Sequence, residues 1–133
     1  MHIKWQKELK WSDEQLEDMR YAGYAYLRQG KYQIALTFFE ALTVLAPENP
    51  YDLETTGALY LQLNQPKKAL EYFDKALKLE SEHSPTLMNV SKALFMLGRR
   101  DEGLKVAKIL SRDANPSISN TAKALILAYG IRK

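Results

Sequence analysis

The stretch GALYLQLNQPKKALEYF, Gly57 to Phe73, decides the fold. Leu59, Leu63, Leu70 and Phe73 recur at three- and four-residue steps, the period of a helix with one buried face. Gly57 nevertheless sits inside the first run, where glycine costs about 1 kcal/mol against alanine. Pro66 interrupts the pattern and marks a boundary between two helices. A glycine in mid-helix needs a reason, and the sequence supplies one when it is slid against itself.

At an offset of 34 residues Gly23 falls on Gly57, Tyr26 on Tyr60, Leu27 on Leu61, Ala35 on Ala69, Leu36 on Leu70, Phe39 on Phe73 and Leu45 on Leu79. A second step brings Ser91, Leu94, Phe95, Gly103 and Leu104 into the same columns. Small residues, aromatics and spacing repeat together, so the glycine marks a close approach of paired helices.

This pattern resembles the tetratricopeptide repeat, a unit of two antiparallel helices with a 34-residue period. The resemblance implies an all-α chain of three helical hairpins in a right-handed solenoid with a C-terminal capping helix. The repeats fall at about 16–49, 50–83 and 84–117, the capping helix at 118–130, and residues 1–11 form an N-terminal arm ahead of a single domain over 12–133. Ser12 with Gln15 makes a capping box and Trp11 with Leu16 a hydrophobic staple, which start the first long helix near Asp13. Gly30 stops that helix, and Pro66 pre-sets the backbone of the fourth. The third repeat is degenerate, with Gly103 and Ala107 in the columns of alanine and phenylalanine.

Composition narrows the function. The 133 residues are 46% hydrophobic and 26% charged, a globular balance. No cysteine is present, which removes disulfides, thiolate metal sites and cysteine nucleophiles. No apolar run reaches a membrane span, and MHIKWQKELKW is too polar for a secretory leader, so the expectation is a soluble cytoplasmic protein without membrane insertion. Residues 1–98 carry 11 basic and 13 acidic side chains, and residues 99–133 carry 8 and 3. A basic last third can attract an acidic partner or nucleic acid. Without a dense basic cluster interleaved with aromatics, solvated helix faces account for it, and no nucleic-acid partner is expected.

Nothing in the chain makes a catalytic, cofactor or metal site. His2 and His83 lack metal-ligand spacing, Glu14, Glu17 and Asp18 sit on an exposed helix face, and no phosphate loop or nucleophile elbow occurs. The expectation is no enzyme and no cofactor.

In the repeat family the first helix of each hairpin lines a concave surface. Carrying that frame over gives Glu17, Arg20, Tyr24 and Leu27, then Tyr51, Glu54, Ala58, Leu61 and Gln62, then Met88, Lys92, Phe95 and Met96 as groove residues. Aromatic, leucine and methionine anchors with a few charges suit an amphipathic helix or extended apolar segment. The columns that clamp a terminal carboxylate in some repeat cochaperones hold Arg20, Tyr24, Thr55, Pro85 and Asn89, which disfavours that variant. The column frame further predicts that Tyr24→Asp spares stability.

The run RQGKYQIALTFFEALTVLAPENPYDLETTGALYLQLNQPKKALEYFDKALKLE, Arg28 to Glu80, also resembles the small all-helical chaperones of bacterial type III secretion. That resemblance implies a cytoplasmic chaperone whose groove holds a hydrophobic secreted partner, a translocator or needle subunit. The pI of about 9.0 departs from the acidic habit of many such chaperones. The alternative is a scaffold or adaptor that forms a homodimer or hetero-complex through the N-terminal arm or the last helix.

Overall fold

The structure, a computed structural model, describes residues 4–130. His2, the start of the arm and residues 131–133 lie outside the described residues. Eight helices and no strand occur among the described residues: α1 (Trp5–Glu8), α2 (Asp13–Arg28), α3 (Tyr32–Leu45), α4 (Pro50–Gln62), α5 (Pro66–Leu79), α6 (Ser84–Met96), α7 (Arg100–Leu110) and α8 (Pro116–Gly130). α2 packs on α3, α4 on α5 and α6 on α7, and each pair also packs on the next; α8 rests on α7 and α6.

Local chemistry sets the boundaries. Ser12 Oγ accepts from Gln15 N at 3.1 Å while Gln15 Oε1 accepts from Ser12 N at 2.9 Å, which closes the capping box. Trp11 packs against the cluster that contains Leu16. Asn49 caps α4 through Tyr51 N and Asp52 N, and Asn115 Oδ1 accepts from Ser117 N. That last cap, with Pro116 behind it, starts α8 two residues ahead of the expected 118.

Each hairpin turns on one repeated device. Gly30, Asn64 and Gly98 adopt φ of 74°, 59° and 75°. The following amide bonds back into the helix each time: Lys31 N to Tyr26 O at 3.0 Å, Gln65 N to Tyr60 O at 2.8 Å and Arg99 N to Leu94 O at 2.9 Å. These are Schellman closures, in which a left-handed residue satisfies otherwise orphaned carbonyls. Asparagine tolerates that conformation best among residues other than glycine, so the 34-residue period persists at Asn64 although the letter changes.

Inside each hairpin a ring lies on a residue without a side chain. A Cβ added to Gly23 would stand 2.8 Å from Phe39 Cε2, and one on Gly57 would stand 2.7 Å from Phe73 Cδ1. Phe39 and Phe73 are fully buried with Ala35, Leu42, Leu59 and Ala69 in one cluster. The third hairpin inverts the arrangement. Its glycine, Gly103, is on the second helix, and the ring that covers it, Phe95, comes from the first, with an added Cβ 2.8 Å from Phe95 Cε1. Ser91 occupies the glycine column of α6 and its Oγ donates to Gly103 O at 2.9 Å. The apparent degeneracy of repeat three is thus an exchange of ring and glycine between the two helices.

Gly57→Ala is therefore expected to destabilise the chain by about 1–3 kcal/mol, the usual cost of overpacking. The same substitution in a Phe73→Leu background should cost less than it does alone. Urea unfolding of the four proteins of this cycle measures it; additive losses would remove the ring contact as the cause.

Candidate functional site

The first helices α2, α4 and α6 are tied side by side by polar contacts. Arg20 Nε donates to Asp52 Oδ1 at 2.8 Å and Oδ2 at 3.0 Å, Nη2 donates to Oδ2 at 2.7 Å, and Nη1 reaches Glu17 Oε1 at 2.5 Å. Asp52 is 1% exposed. These carboxylates raise the Arg20 pKa above its already high value, against the opposing effect of burial. Tyr24 Oη and Thr55 Oγ1 stand 3.3 Å apart, and Asn89 Nδ2 donates to Glu54 Oε1 at 2.8 Å. Burial pushes the Glu54 carboxyl above its ordinary pKa, and the Asn89 bond offsets part of that rise.

Beside these ties lies a recess of about 370 Å³ lined by Leu27, Tyr32, Ala58, Leu59, Leu61, Gln62, Asn89, Lys92 and Met96. Six of the sequence-derived groove residues line it: Leu27, Ala58, Leu61, Gln62, Lys92 and Met96. Glu17, Arg20, Tyr24 and Glu54 lie outside its lining and bond between or along the helices.

Three residues have other roles. Met88 is buried with Leu110 and Ala122 in the cluster that joins α6, α7 and α8. Phe95 is buried over Gly103 and stacks on Tyr129 with ring centroids 4.1 Å apart. The groove frame failed at Phe95 because repeat three exchanges its ring and glycine. Tyr51 is 52% exposed and lines a second, larger trough of about 1290 Å³ with Trp5, Trp11, Val44 and Pro47, between α1 and the α3–α4 corner. Tyr24 is half-buried, with its ring edge-on to Phe39 at a centroid distance of 4.9 Å, surroundings that argue against the expected tolerance of aspartate there.

Sequence columns missed Tyr32, Leu59 and Asn89 as lining residues. Tyr32 opens a second helix, and its counterpart one period on is Pro66, so no periodic signal marks it. Leu59 is 1% exposed and forms the floor. Asn89 was legible as one of the clamp columns.

His83 Nδ1 lies 2.8 Å from Thr86 Oγ1, and no cluster of three potential metal ligands occurs among the described residues. No described helix is long and apolar enough to cross a membrane.

A stack of helical hairpins with a recess along its first helices defines a protein-binding repeat module. The tetratricopeptide repeat family model matches residues 22–97, more than half the chain, and the chain belongs to that family.

By sequence the chain is 29% identical over 98 residues to the Protein CTR9 homolog of Arabidopsis thaliana, across 72% of this chain and 9% of that protein. It is 29% identical over 82 residues to anaphase-promoting complex subunit 3 of Schizosaccharomyces pombe, across 62% of this chain and 12% of that protein. The chain thus spans about a tenth of the length of these relatives. By structure it resembles the type III secretion chaperone SycD of Yersinia enterocolitica in complex with a peptide of the translocator YopD, with TM-score 0.81, 17% identity, and coverage of 90% of this chain and 95% of that one. PcrH in complex with the chaperone binding region of PopD gives TM-score 0.79, 21% identity, and coverage of 90% and 93%.

Two outcomes follow from the site geometry. A carboxyl whose folded pKa is raised stabilises the fold fully only below its unfolded pKa, and that contribution is lost as pH rises through the folded value. Glu54→Gln should therefore raise the unfolding midpoint at pH 7, with the gap to wild type closing as pH falls below about 4; a gap independent of pH would contradict the assigned cause. Tyr24→Asp should lower the thermal midpoint, since it removes a half-buried ring and leaves Thr55 Oγ1 without its tyrosine; an unchanged midpoint would restore the sequence expectation.

Proposed function

We propose that this chain is a cytoplasmic chaperone of the type III secretion kind, holding a hydrophobic or amphipathic segment of a secreted protein in the concave recess and serving its transport. The observation that carries the reading is the recess itself, where Leu27, Ala58 and Leu61 are only partly buried and Met96 is exposed, so that apolar surface lies open along the first helices. The SycD likeness adds support because it spans nearly the whole of both chains and that protein is bound to a translocator peptide. Each well-buried apolar anchor of a partner contributes about 1.5–3 kcal/mol before ordering costs. Arg20 and Glu54 set the spacing of the groove walls rather than meeting the partner.

A second reading is a scaffold or oligomerising adaptor. The trough between α1 and the α3–α4 corner favours it, since Trp5, Val44 and Tyr51 are all exposed there. The second sequence relative is, by its name, a subunit of a complex.

Capture from the native cell extract separates the two. Ala58→Phe fills the recess, whereas Val44→Asp spoils the trough. A secreted, aggregation-prone protein retained by wild type and lost with Ala58→Phe is the expected result, given matching thermal midpoints. Retention that survives Ala58→Phe and disappears with Val44→Asp, together with a concentration-dependent mass, would replace the chaperone reading with the adaptor.

A further inference from the structure

We propose that the recess selects an internal segment carrying an acidic side chain beside an apolar anchor, with Lys92 as the residue that determines this specificity. The inference rests on the groove reading above and adds the chemistry of its occupant. It begins from which polar groups along the first helices are already engaged. Arg20 places Nε and Nη2 on Asp52 and Nη1 on Glu17. Asn89 donates to Glu54. The Arg20 guanidinium and the Asn89 amide are therefore each bonded to a carboxylate of the chain itself.

Lys92 differs. It lines the recess, is exposed, and has no carboxylate within ion-pair distance among the described residues. Around it the lining is apolar or neutral, from Leu27, Ala58, Leu61, Gln62 and Met96. A wholly apolar segment laid over this surface would strip water from the ammonium group and return nothing. A carboxylate placed there instead forms a charge-assisted bond in partly desolvated surroundings.

Position argues for an internal residue over a chain end. Lys92 lies between Asn89 and Met96 along α6, the three residues that this helix contributes to the lining. A partner that terminated at Lys92 would leave Met96 or the opposite half of the recess uncovered. A continuous segment covers both sides and brings an apolar anchor within one helical turn of the acid, since Lys92 and Met96 are four residues apart on one face.

The test is selection from a library of random peptides displayed between two folded flanking domains, so that neither peptide end is free, against the full chain. Expected are sequences enriched in Asp or Glu next to Leu, Ile, Met or Phe. Their binding should weaken about tenfold or more with Lys92→Glu and return when the peptide's acid is exchanged for lysine. Ala58→Phe should abolish binding, with melting curves of both variants matching wild type. Peptides without acidic preference that bind Lys92→Glu as well as wild type, yet are lost with Ala58→Phe, would overturn the inference and leave the groove reading standing. Peptides indifferent to Ala58→Phe, or no selected peptides, would overturn both.

Discussion

The structure depends on the contact of a phenylalanine ring with a glycine backbone between the two helices of each hairpin. Burying a phenylalanine stabilises the fold by up to about 3 kcal/mol, which exceeds the roughly 1 kcal/mol that mid-helix glycine costs. The ring reaches the opposite backbone because no Cβ stands in its way at Gly23, Gly57 or Gly103. Helices held this closely form a rigid pair, and stacking the pairs places α2, α4 and α6 along one side. The recess is a consequence of that stacking, because its walls come from helices the rings have positioned.

Polar contacts then fix the spacing that the rings leave open. Arg20 to Asp52 and Glu54 to Asn89 join successive first helices, each pair at least partly buried. These contacts engage Arg20, Asp52 and Glu54 and leave an apolar recess with Lys92 on its wall. The buried ion pair of Arg20 with Asp52 thereby lies outside the lining of the recess.

Much of this was legible in the chain. The glycine and phenylalanine columns named the hairpin contacts, Ser12 with Gln15 announced the first helix, and six lining residues followed from the repeat frame. The frame misled at Phe95, where a column that holds leucine in two repeats holds the core ring of the third. Columns record position on a helix, and which side of that position is filled depends on what the partner helix leaves vacant. Gly103 leaves room, so Phe95 turns inward and stacks on Tyr129, a residue 34 positions away that no short-range pattern connects to it.

The sequence by itself determined the repeat, its period and the closures of its hairpins, because those rest on local rules: a helical period, left-handed residues at the turns, and side-chain caps. Asn64 keeps the closure as faithfully as Gly30 and Gly98 do, since backbone conformation and not residue identity is what repeats. Only the tertiary structure decided which charges stay available, that Arg20 is spent on Asp52 and that Lys92 pairs with no carboxylate among the described residues. Those outcomes depend on distances between helices more than 30 residues apart in the chain, and the packing of ring on glycine sets such distances.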